Sequence, residues 1–126
     1  MAVSAELILA LKRFAAVERQ IVTLGQRVDP ENALEFVRMR RQLVMGFAEV
    51  GMALEKDPWF ADRPDALRQG RQLFSAFRAA NSINQANWPV VKAKDDPRAY
   101  EVAARLVADK SRAFWHWIEK ELGVTR

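Results

Sequence analysis

Proline placement constrains this chain most. Pro30, Pro58, Pro64, Pro89 and Pro97 divide it into four long stretches, and each stretch spaces its apolar residues in steps of three and four. Asp29-Pro30 and Asp96-Pro97 pair a capping aspartate with the residue best suited to a first helical position. Arg63-Pro64-Asp65 is a third start, with an acid where the helix dipole favours it. Trp88 precedes Pro89, so a helix stops there, and Gly123 reads as the residue just past a helix end. Helices are therefore expected near residues 5–26, 30–55, 64–88 and 97–122.

The apolar seams agree with these limits. The first runs Leu7, Ala10, Phe14, Val17, Ile21, Leu24, Val28. The second holds Phe36, Val37, Leu43, Val44, Phe47, Val50 and Leu54, and the third Leu67, Leu73, Phe74, Phe77 and Trp88. The fourth holds Ala99, Ala103, Leu106, Val107, Ala113, Phe114 and Trp117. No β-branched run alternates with period two. Four amphipathic helices joined by short connections predict an all-α protein, a single antiparallel up-down four-helix bundle over residues 1–126. Gly46 and Gly51 inside the second helix mark either close helix contact or a bend.

Composition narrows the function. With 126 residues and 50% apolar content the chain can bury a core without a staple. It has no cysteine and one histidine, His116, which excludes thiolate and multi-histidine metal sites and a cysteine nucleophile. No nucleophile elbow, phosphate loop or paired inward carboxylates occur, so no catalytic residue, metal or cofactor is expected and the chain reads as a non-enzyme. No apolar run reaches the roughly 18 residues of a membrane span, and the N-terminus lacks a signal-peptide pattern, so a cytoplasmic protein is expected. The net charge is +4, and the excess lies wholly in residues 64–126, with eleven bases against seven acids.

Polar residues on the seams are the first candidate site. Glu18 falls beside Leu11, Phe14 and Ile21, and Arg40 lies among Phe36, Leu43 and Phe47. Asn81 and Asn84 continue the line of Phe74 and Phe77, while Lys110 sits between Leu106 and Ala113. In an alternating bundle these five share one interhelical layer, in which Glu18 should meet Arg40 or Lys110. The layer either fixes helix register or forms a pocket for a small polar or anionic ligand.

Three further features bear on partners. The amide-rich stretch Asn81, Asn84, Gln85, Asn87 with Trp88 can hydrogen-bond a partner or cap its own helix end. On the helical wheel Trp115 points nearly opposite Phe114 and Trp117, which reads either as an exposed anchor for a partner helix or for a second copy in a homodimer, or as a plain surface tryptophan or a misread helix phase. Trp59-Phe60 is read as a lid over one end or as a docking loop. Arg68, Arg71 and Arg78 share a side of the third helix, and Lys92, Lys94 and Arg98 follow, a basic stripe able to track nucleic-acid phosphates or to be a solvated face.

A long first helix with Leu11, Phe14 and Glu18, an Arg-Arg-Gln-Leu step at 40–43 and a later helix with Asn81, Asn84, Gln85 and Asn87 resemble small helical flagellar export chaperones of the FlgN and FliT type. The resemblance covers roughly residues 7–90. Pro89, the tryptophan-rich fourth helix and the basic charge depart from that family's pattern. It implies a cytosolic chaperone or adaptor that binds a helix of another protein on an apolar face, without catalysis. The alternatives are a nucleic-acid-associated protein using the basic stripe and a small-ligand binder at the polar layer.

Overall fold

Each of the four stretches is helical in the computed structural model, which describes residues 2–126. Helix α1 spans Ala5–Gly25, and the Ser4 hydroxyl caps it by accepting from the Leu7 N–H at 3.2 Å. Helix α2 spans Ala33–Lys56, three residues later than the Asp29-Pro30 signal predicts. The Asp29 carboxylate is committed to a turn, accepting from the N–H groups of Glu31 and Asn32 at 3.0 Å each. Asn32 closes the turn by accepting from the Asp29 N–H at 2.9 Å and donating to the Arg27 carbonyl at 2.5 Å. The aspartate that looks like a cap is therefore a turn residue.

A 3-10 turn, Pro58–Phe60, leads into α3, Pro64–Asn87. The Trp88-Pro89 step ends α3 as expected. The connection that follows is itself helical: α4 spans Val90–Asp95 and was not foreseen. Asp96 accepts from the Ala99 N–H at 3.3 Å and starts α5, Pro97–Trp117. The last turn widens to a π-helical turn, Ile118–Leu122, and Gly123 ends it at φ 69°. No strand occurs among the described residues, and none of the helices is long and apolar enough to cross a membrane.

Helix α1 packs along α2, and α3 packs along α5. Both pairs run antiparallel. Glu6 at the start of α1 meets Lys56 at the end of α2 at 2.7 Å, and Gly70 near the start of α3 lies under Trp117 at the end of α5. The pairs meet through aromatic rings. Phe14 from α1, Phe47 from α2 and Phe77 from α3 touch edge to face at centroid distances of 4.8–5.8 Å, and Phe114 and Trp115 complete the cluster. Glycines are notches for these rings. A Cβ on Gly46 would stand 2.9 Å from Phe14, one on Gly51 3.3 Å from Phe74, and one on Gly70 would overlap the Trp117 ring, so these glycines mark close helix contact.

Trp59 and Phe60 are buried and close this end as a lid, with Phe60 stacked parallel to Trp117 at 6.2 Å. Asp57 holds the lid in place. It accepts from the Ser4 N–H at 2.9 Å, from the Ser4 hydroxyl at 2.6 Å and from the Trp59 N–H at 3.0 Å. Burial pushes its carboxyl up, but these three donors outweigh burial and hold it below the ordinary aspartate range.

The seam of α5 differs from the expected one. Trp115 is 1% exposed, whereas Leu106 and Lys110 face solvent. Trp115 is therefore not a surface anchor. Helix α5 contacts α3 through Phe114 and Trp117 and α1 through Ser111 and Trp115, so its buried face is wider than one stripe. The seam runs Tyr100, Ala104, Val107, Ser111, Trp115, Ile118, and the serine in it masks the periodicity.

Candidate functional site

Four of the five residues expected to share a polar layer line one interhelical cavity. Glu18, Arg40, Asn81 and Asn84 surround a space of about 510 Å³, together with Gln85 and Tyr100. Lys110 is outside it and exposed, because α5 is rotated from the predicted phase. The walls between the polar groups are apolar, from Ile21, Leu43, Phe77 and Val107.

The expected Glu18–Arg40 pair does not form. Glu18 turns toward α5, where it accepts from the Ser111 hydroxyl and from the Trp115 indole N–H at 2.9 Å, and Arg126 approaches it at 3.6 Å. Its carboxylate is thus supplied with three partners, which ties α1 to α5 and to the chain's last residue. Arg40 has no carboxylate partner among the described residues. It is 8% exposed, its Nη1 donates to the Trp88 carbonyl at 2.6 Å, and its guanidinium lies 4.7 Å from the Phe36 ring centroid and 5.8 Å from that of Tyr100. Its Nη2 is buried without a hydrogen-bond partner, as is Asn84 Oδ1. Buried groups left in this state are uncommon, because each costs about 1–3 kcal/mol.

At the mouth stand Arg98, which the sequence placed in the basic stripe, and Glu101 and Arg105, which it did not single out. Glu101 and Arg105 pair at 3.8 Å, one turn apart, and Arg98 forms no ion pair among the described residues. The unpaired charges around this cavity are therefore cationic.

Arg40 also forms part of a second hollow, an open groove of about 680 Å³ between α2 and α4. Its lining is Val37, Val44, Met45, Pro89, Val90 and Val91, with Arg40, Arg41 and Gln85 at its edges. Met45 and Val91 are 64% and 67% exposed, so this is apolar surface in contact with solvent. A Val-Val pair directly after a helix-stopping proline was the available signal for this wall of the groove.

The amide stretch divides between environments. Asn81 is buried, Asn84 and Gln85 face the cavity, and Asn87 is exposed. Trp88 is half-buried, packed on Tyr100 at 5.8 Å and under the Lys92 ammonium at 4.6 Å. The basic stripe is partly neutralised. Arg68 pairs with Asp65 at 2.5 Å, and Arg71 grips both oxygens of Glu55 across to α2. That hydrogen bonding lowers the Glu55 pKa and raises that of Arg71. Arg78 and Lys94 are exposed and form no ion pair among the described residues. His116 is also exposed, and no three His, Cys, Asp or Glu side chains gather among the described residues as a metal-holding group.

No protein-family model, curated protein or solved structure matches this chain.

Proposed function

We propose that the four long helices form an antiparallel four-helix bundle and that the protein is a non-enzymatic binding module for a helix of another protein. The docking surface is the groove between α2 and α4. One observation carries this reading: Val37, Val44, Met45, Val90 and Val91 form a continuous apolar trough open to solvent. Arg41 lies on its α2 side, and Lys92 and Lys94 belong to α4 on the other. The complementary partner is an amphipathic helix with an apolar stripe and acidic flanks. A cytoplasmic export chaperone or adaptor, the role implied by the FlgN and FliT resemblance, is the sharpest form of this reading. Trp115 has no part in it, since it is buried.

The test is a pull-down from nuclease-treated lysate, washed at low and high salt, with the wild type beside a Met45→Lys/Val91→Lys variant. A protein that survives high salt on the wild type and is lost from a variant of unchanged melting temperature is the expected result. Apolar docking changes little with ionic strength, whereas phosphate contacts weaken steeply. Equal retention by the variant overturns the groove. Material lost on nuclease treatment or at high salt moves the function to Arg78, Lys94 and the rest of the basic stripe.

A further inference from the structure

We propose that the interhelical cavity is a binding site for a small organic carboxylate, a different space from the groove with which it shares Arg40 and Gln85. The argument begins with Arg40. A guanidinium cannot neutralise itself, since arginine stays protonated at any physiological pH. Placed inside a protein it needs an anion or a full set of acceptors. Arg40 has one carbonyl, two aromatic faces and no anion, and its Nη2 is buried without a partner. Both carboxylates that line this cavity are engaged elsewhere, Glu18 with Ser111, Trp115 and Arg126 and Glu101 with Arg105. Among the described residues no counter-ion meets Arg40, beside a space able to admit one.

The remaining lining narrows the ligand. A volume of about 510 Å³ lies within the range of small-molecule sites. Ile21, Leu43, Phe77 and Tyr100 offer apolar walls, so the anion carries a hydrocarbon or aromatic body. Asn84 adds unspent hydrogen-bonding capacity, because its buried Oδ1 has no donor. A hydroxyl on the ligand satisfies that amide whichever way its oxygen and nitrogen are turned. Arg98 at the mouth, without an ion pair among the described residues, favours entry of an anion. The class that fits is a hydroxylated carboxylic acid of aromatic-acid size, its carboxylate on Arg40 and its hydroxyl toward Asn84.

The experiment is an amide-resolved NMR titration of the whole chain with 4-hydroxybenzoate, its neutral counterpart 4-hydroxybenzamide, and inorganic phosphate. Saturable shifts confined to the amides of Asn81, Asn84, Gln85 and Tyr100 are expected with 4-hydroxybenzoate. The benzamide should bind at least tenfold more weakly, and so should 4-hydroxybenzoate to Arg40→Met. Asn84→Ala, a milder change that keeps the test open if Arg40→Met does not fold, should weaken the acid severalfold and leave the benzamide-to-acid ratio large. Equal binding of acid and amide overturns the proposal, as does tighter binding of phosphate or an absence of shifts at these amides. A shift pattern confined to Val44, Met45 and Val91 also overturns it, because the probe has then entered the groove instead.

Discussion

The two ends of the molecule are built on opposite terms. Around Phe14, Phe47, Phe77 and Phe114 the helices meet through rings, glycines accept those rings, and the Trp59-Phe60 lid excludes water. Around Phe36, Ala93 and Tyr100 the buried cluster is small, bordered by a cavity and a groove, and crossed by a charge without a counter-ion. Close packing at one end supplies stability. Imperfect packing at the other leaves a cavity, a groove and buried polar groups that the chain does not satisfy, and these carry both binding proposals.

The largest expected effect tests that division directly. Phe47→Ala removes a ring from the middle of the aromatic cluster, away from the cavity, and should cost about 3–5 kcal/mol in urea unfolding. Tyr100→Ala, at the open end, should cost markedly less, because the cavity already exists on one side of that ring. Equal losses would erase the distinction between the ends.

An intermediate effect belongs to the lid. Asp57→Asn weakens the acceptor that joins Ser4 to Trp59, and should cost about 1–3 kcal/mol at neutral pH. The wild-type carboxyl is held below its ordinary value, so its contribution is complete above the unfolded aspartate pKa and is lost as pH falls through the folded one. Thermal melts should therefore show the wild type losing its advantage over Asp57→Asn below about pH 4. An advantage unchanged from pH 7 to pH 2.5 would show that charge is not what holds the lid.

The smallest effect is the sharpest contrast. Arg40→Met deletes a buried arginine, yet should move stability by less than about 1.5 kcal/mol in either direction, because it also removes an uncompensated buried charge. A loss above about 3 kcal/mol in urea unfolding would make Arg40 a structural tie of the same kind as the ring cluster, and the two ends would no longer differ in purpose.

What the sequence disclosed and what it hid follow the same physical line. Signals acting over one or two turns were legible: Asp96 at the start of α5, Pro64 at the start of α3, Pro89 after its end, and Gly123 past the last turn. The cavity residues Glu18, Arg40, Asn81 and Asn84 were legible as polar interruptions of apolar seams. Their pairing was not. Whether Glu18 meets Arg40 or Ser111 depends on how far α5 is rotated, and a seam with a serine at 111 and a tryptophan on either side of His116 gives two phases of similar apolar content. Helix α4 was hidden for a different reason. Six residues carry too few turns for periodicity to register, and its place rests on Ala93 packing with Phe36 and Tyr100, a contact between residues far apart in sequence.

The ring-in-notch contacts carry one more consequence. At Gly46 the neighbour is Phe14, at Gly51 it is Phe74 at 3.3 Å, and at Gly70 it is Trp117. Each notch and its ring lie on different helices and act as one unit of thickness, a spacer that sets how near two axes can come. At Gly46 and Gly70, where an added Cβ would come within 3.0 Å of the ring, the notch cannot be filled by itself. A methyl group in the notch must be matched by a thinner side chain opposite, so sequence drift at these positions is confined to double steps, with the intermediate single change the least stable member of each path.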